Sequence, residues 1–217
     1  MRRSIAAAGT AGLVALIAAP MSAANATEGA GEATVSVLHG VPGLTVDVYA
    51  NGEELIPDFE PGTLTDPLSL PAGTYDLQVF ADGDTPDSAD PAIEANGVQV
   101  PAGANATVVA HLDADGNPTL TPFVNDTSAT APGESRLTVR HTAAAPAVDV
   151  RADGEVLFPG LTNPNVESGD VPAGTYSADV VLEGTEDVAI GPADLDLAEG
   201  TRSEERRVGK ECCGAGG

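Results

Sequence analysis

The chain carries one pattern twice, and nothing else in it limits the fold as tightly. Val35-Ser-Val-Leu-His39, Val46-Asp47-Val48, Asn51-Gly52 and Leu70-Pro-Ala-Gly73-Thr-Tyr75 return as Leu137-Thr-Val-Arg-His141, Val148-Asp149-Val150, Asp153-Gly154 and Val171-Pro-Ala-Gly174-Thr-Tyr176. His39, Asp47 and Gly52 recur 102 residues later, and Tyr75 recurs 101 residues later, so one residue has been lost from a loop between them. Solenoid repeats are roughly 20–50 residues long, so a period of this size duplicates a whole domain. Each copy of about a hundred residues is long enough for one immunoglobulin-sized core.

Within each copy the text reads as strands. Thr34 to His39, Thr45 to Ala50, Glu53 to Pro57, Thr65 to Leu70 and Thr74 to Ala81 alternate apolar and polar residues. Ala92 to Val100, Asn105 to Leu112 and Thr119 to Val124 continue the series. Asn51-Gly52 and Asp153-Gly154 are hairpin signals of the type I′ kind. Pro71-Ala-Gly73 and Pro101-Ala-Gly103 add Pro, which presets φ, and Gly, which allows φ to be positive. Short strands with turns between them predict an all-β fold: two tandem antiparallel β-sandwich domains, immunoglobulin-like or prealbumin-like. The core is lean, with no Trp, four Phe and three Tyr in the chain.

The ends differ from the body. Arg2 and Arg3, the apolar run from Ile5 to Ala19 and Ala24-Asn25-Ala26 make a signal peptide over residues 1–26, cleaved near Thr27. Residues 27–33 read as a disordered lead-in, 34–126 as the first sandwich, 127–135 as a linker and 136–201 as the second sandwich. No segment of the mature chain is long and apolar enough to read as a transmembrane helix. From Arg202 the composition changes, and residues 202–217 hold four of the nine Lys and Arg and both Cys. This tail resembles a vector or frameshift read-through and is set apart from the fold. Ala92-Ile93 to Gly103 matches Ala189-Ile190 to Gly200, after which the counterparts of Asn105 to Leu112 and Thr119 to Val124 are missing. The second domain is therefore expected to be truncated.

Residues 27–201 hold 30 of the 33 acids and only three bases, Arg136, Arg140 and Arg151. Residues 27–135 hold 18 acids and no base. Such a surface repels nucleic acid and anionic lipid, and favours solubility, cations or basic partners.

His141-Thr-Ala-Ala-Ala-Pro146-Ala-Val-Asp149-Val150, the looser His39-Gly-Val-Pro42-Gly-Leu-Thr-Val-Asp47-Val-Tyr49, and Leu120-Thr-Pro-Phe123-Val-Asn-Asp126 resemble domain-of-unknown-function family 4397. The resemblance covers roughly Ala33 to Gly200. It implies bacterial or archaeal secreted or surface proteins with an often duplicated β-sandwich domain, and it implies no activity.

The polar residues that recur are read as structural: His39, Asp47, Gly52, Gly73 and Tyr75, with His141, Asp149, Gly154, Gly174 and Tyr176. His39 and His141 share the parity of their apolar neighbours and so point at the core, where backbone or a carboxylate would satisfy them. Asp47 and Asp149 lie on the opposite parity and are expected to hold a turn or a backbone N–H; a His–Asp pair across strands is the open alternative. No nucleophile sits in a G-x-S-x-G setting, and the reading is of a non-enzyme without cofactor. Asp82, Asp84, Asp87, Asp113 and Asp115 are the calcium candidates, although their spacing fails the EF-hand pattern. Tyr49 is the candidate aromatic for a carbohydrate platform. The function expected is a secreted or cell-surface spacer, adhesion or interaction module, with a cell-wall polysaccharide or a surface protein as partner. The alternative is a polysaccharide- or calcium-binding module.

Overall fold

The computed structural model describes residues 31–200 and 202–204; the signal sequence, most of the lead-in and the tail from residue 205 lie outside the described residues. The first repeat has eight strands: β1 Glu32–His39, β2 Val46–Ala50, β3 Glu53–Phe59, β4 Leu68–Pro71, β5 Gly73–Ala81, β6 Ile93–Val100, β7 Asn105–Leu112 and β8 Pro118–Val124. They form two four-stranded sheets, β4-β1-β7-β8 and β3-β2-β5-β6. Period-two alternation does the sorting. Val35 and Val37 of β1 and Val108 and Ala110 of β7 are buried towards Val46, Val48 and Val79 of the other sheet.

Two features differ from the sequence reading. β1 pairs with β7 in parallel, from Thr34 with Asn105 to His39 with Ala110, so the sandwich is antiparallel in every pairing but this one. Because β1 lies between β4 and β7, the immunoglobulin order ABED over CFG is excluded, and the prealbumin-like alternative is the one that stands. Gly73 is also not a turn glycine. It opens β5, and the chain crosses from one sheet to the other with only Ala72 between β4 and β5. Gly103, in contrast, does take positive φ, at 72°.

The second repeat reproduces this plan. β9 Glu134–Arg140, β10 Val148–Ala152, β11 Glu155–Leu161, β12 Val166–Pro172, β13 Gly174–Leu182, β14 Val188–Leu197 and β15 Arg202–Glu204 give sheets β11-β10-β13-β14 and β12-β9-β15. A strand follows residue 201, at the start of the stretch set apart as the tail. Arg202–Glu204 runs parallel to β9, pairing Arg202 with Arg136, as Asn105 of β7 pairs with Thr34 of β1. The free edge of β9 offers backbone N–H and C=O groups to the next extended segment, and that pairing is indifferent to side-chain composition. Among the described residues no strand takes the place of β8.

The linker is tied down. Arg136 bridges to Asp126 at 2.8 Å and to Asp170 at 2.7 Å, and donates to the Ser128 carbonyl and hydroxyl. Arg140 donates to Asn125 Oδ1 at 2.6 Å and lies 5.2 Å from the centre of the Phe123 ring. Asn163 Nδ2 donates to the Leu112 carbonyl at 2.8 Å. The two repeats thus meet along the outer side of β8, where Phe123 is buried.

Candidate functional site

The recurring histidines close or directly follow the first strand of each repeat. At the end of β1, His39 Nε2 lies 2.9 Å from the Leu44 carbonyl, and at the end of β9 His141 Nε2 lies 3.0 Å from the Pro146 carbonyl. A carbonyl can only accept, so Nε2 carries the proton in both rings. His39 Nδ1 is then a bare lone pair, buried without a partner, with the Phe59 ring 5.5 Å away. Desolvation by that burial lowers the His39 pKa below its ordinary 6.5, against the smaller raising effect of the bond to Leu44.

Asp47 and Asp149 do a different job. β3 bulges against β2, so that Val46 faces Phe59 and Val48 faces Ile56; β11 does the same against β10. A bulge takes a backbone N–H out of the ladder, and a buried donor must find another acceptor. Asp47 Oδ1 accepts the Asp58 N–H at 2.8 Å, and Asp149 Oδ1 accepts the Gly160 N–H at 2.7 Å. The second oxygen accepts from the following loop, Gly83 for Asp47 at 3.0 Å and Gly184 for Asp149 at 2.9 Å. The Asp149 carboxyl is held below its ordinary 3.8 by the Gly184 and then the Gly160 N–H. A His–Asp pair is not formed, because both members bond to backbone instead.

The remaining repeated positions also act on the backbone. Tyr75 donates to the Pro71 carbonyl and Tyr176 to the Pro172 carbonyl, each at 2.7 Å, clamping the crossing between sheets. Asn51 Oδ1 and Asp153 Oδ1 accept the N–H of Asp76 and Ser177, beside Gly52 and Gly154 at φ of 80° and 81°. A Cβ on Gly73 or Gly174 would lie 3.9 Å from the ring of Tyr75 or Tyr176, in ordinary contact.

The calcium candidates are scattered. Asp113 closes its own hairpin, accepting the N–H groups of Asp115 and Asn117 through Oδ1, and the Asn117 backbone bond leads in lowering its pKa. Asp82 instead approaches Asp47 and Asp58, the three offering carboxylate oxygens within 4.8 Å of one another. Asp58 was missed by the sequence reading; it has φ of 49° and is set by the bulge, which no motif announces. The second repeat has Gly160 at that bulge position and Glu183 after β13, so the trio belongs to the first repeat. Tyr49 is not an exposed platform. It is 8% exposed and packs edge-on against Phe80, ring centres 5.3 Å apart.

Also missed was His111, fully buried on the outer side of β7. Its Nδ1–H donates to the Leu112 carbonyl at 2.9 Å, so Nε2 accepts from the Thr121 hydroxyl at 2.8 Å. It has no partner in the repeat pattern, which is why the pattern passed over it.

Domain of unknown function DUF4397 matches residues 33–151, the whole first repeat and the second through most of β10. The chain belongs to this family. The DUF4397 match spans His39, Asp47 and Tyr75 of the first repeat and His141 and Asp149 of the second. No curated protein matches the chain. Eleven solved chains match, among them the Bacillus anthracis TIE protein, at 10% identity and a TM-score of 0.26, covering 80% of this chain. The chain spans 33% of the length of that protein.

Proposed function

We propose that this DUF4397 protein is an exported, non-catalytic spacer or interaction module. One observation carries the reading: the recurring His, Asp and Tyr side chains, with Asn51 and Asp153, are engaged with backbone of their own repeat. What the copies share is therefore a scaffold of hydrogen bonds, whereas a shared reaction centre would leave a nucleophile, acid or base facing solvent or a cleft. The acidic surface suits a solvated extracellular role and disfavours nucleic acid. Export rests on the Arg2-Arg3 and Ala24-Asn25-Ala26 signals. The test is expression in a secreting host, followed by N-terminal sequencing of the medium protein. A start near Thr27 supports export, and Met1 on exported material refutes the leader.

A calcium-binding module is the second reading, supported by the three carboxylates of Asp47, Asp58 and Asp82. Both oxygens of Asp47 already accept an N–H, so a cation would share them. Melting in millimolar CaCl2 against NaCl of equal ionic strength separates the readings. An excess rise in calcium, absent in Asp58→Asn, favours this one; equal curves favour the spacer.

A further inference from the structure

The first sandwich is not filled. Its core divides into two clusters of buried residues, one of Val37, Val46, Val48, Phe59, Val79, Ile93 and Ala110, the other of Ala33, Val35 and Val108. Between the sheets lies a cavity of about 200 Å³ whose lining reaches both clusters and includes side chains from all eight strands. The second repeat has a single cluster, built around Phe158 and Leu161. The origin of the space is legible in β7. Its inward positions include Ala106 and Ala110, and Ala104 precedes them, where larger side chains would meet the opposite sheet. The lining is aliphatic apart from Phe59, Tyr75 and Gln99. It reaches the surface at Gln99, Pro101, Pro122 and Val124, between the edge strands β6 and β8; Val124 is 80% exposed.

We propose that this cavity binds one unbranched aliphatic molecule of about eight carbons with a neutral or cationic head. Size follows from volume, since an apolar cavity of roughly 150 Å³ stays dry and accepts benzene. An aliphatic guest recovers dispersion contacts that the lining forfeits. Shape follows from the architecture: the space is one layer thick between two sheets, so a chain fits where a bulky ring system does not. Head group follows from charge. Residues 27–135 contain 18 acids and no Lys or Arg, a field that disfavours a carboxylate at the mouth. The nearby bases of the second repeat are engaged, Arg136 by Asp126 and Asp170, and Arg140 by Asn125 and Phe123.

The test uses the full mature chain with 1-octanol, octylammonium and octanoate, read by melting temperature and by valine-methyl NMR. Octanol and octylammonium shift the methyl signals of Val35, Val37 and Val108 and raise the melting temperature, by roughly 5 °C at a hundredfold excess over the dissociation constant. Octanoate binds at least tenfold more weakly. Ala106→Leu fills the space and abolishes the octanol response. Should that variant fail to fold, Val124→Lys at the exposed mouth is the second arm, and it reverses the order of octanoate and octylammonium. Unmoved valine signals at octanol saturation overturn the proposal. So does an octanol response undiminished in Ala106→Leu, and so does a head-group order unchanged in Val124→Lys.

Discussion

His39 shows how a single buried side chain links sequence parity to a measurable pH effect. Its pKa is depressed in the fold, so between that lowered value and 6.5 the unfolded chain binds the extra proton. The linkage sign is then fixed: its contribution is fully present above pH 6.5 and is lost as pH falls through the folded pKa. His39→Asn keeps a donor for the Leu44 carbonyl and removes the titration. We expect it to lower stability by about 1–3 kcal/mol at pH 7.5 through poorer packing and bonding. The gap from wild type should narrow as pH is taken from 7 to 5, measured by urea denaturation. A gap constant across that range would show that the imidazole does not titrate with unfolding. Asp149 has the same sign in a lower window. Its stabilisation is present above the ordinary carboxylate value of 3.8 and is lost as pH falls through the depressed folded value. Asp149→Asn should blunt the acid limb below pH 4 and leave two backbone donors competing for one good acceptor.

At the scale of elements, the two glycines of the repeated motif have different physical reasons, and substitution should separate them. Gly52 sits at φ of 80° in the β2–β3 hairpin, where an L side chain is strained. Gly52→Ala is expected to cost about 1–2 kcal/mol. Gly73 is in strand conformation with room for a Cβ, so Gly73→Ala should fall within about 0.5 kcal/mol of wild type. Equal losses in chemical denaturation would contradict this assignment. The Tyr75 hydroxyl ties the crossing from β4 to β5, and Tyr176 repeats the tie from β12 to β13. Tyr75→Phe and Tyr176→Phe should each cost about 1 kcal/mol, since one hydrogen bond is lost and the ring is kept. A neutral result at both positions would reduce the clamp to a contact without energetic weight.

For the whole molecule, charge and the junction between repeats act together. Two of the three bases in residues 27–201, Arg136 and Arg140, lie at that junction, and the third, Arg151, is held by Asp179 and Glu186. Replacing both with Ala removes the ion pair to Asp126 and the contact over Phe123. The repeats should then move independently, seen as a larger radius of gyration in X-ray scattering and faster tumbling of each repeat by NMR relaxation. Unchanged scattering would show that the backbone and Asn163 suffice. Salt acts oppositely on the wider acidic surface. The Debye length shrinks from about 10 Å at 0.1 M to about 3 Å at 1 M, so repulsion among the acids weakens. The melting temperature should rise across that range in the wild type, and a flat response would mean that the acids are spaced too far apart to matter.

The duplicated sandwich was legible in the chain because period-two alternation and turn chemistry are local, and because the same text occurs twice. His39 and His141 could be placed inward by parity, and Asp47 and Asp149 could be assigned to backbone donors, from the same local rule. The identities of those donors could not. They depend on bulges in β3 and β11, which arise when two strands of unequal length are brought into register. For that reason Asp58 joined Asp47 and Asp82 only in three dimensions, while Asp84 and Asp87, closer to Asp82 in sequence, did not join that group. Tyr49 had the parity of an exposed residue and is buried, because packing on the outer face of its sheet is a property of Phe80 and the fold rather than of β2 alone. Strand order, the parallel pairing of β1 with β7, the junction at Arg140 and the space beside Ala106 are likewise contacts between distant segments. Local text set which residues face inward; the closing of two sheets on each other decided what they meet there.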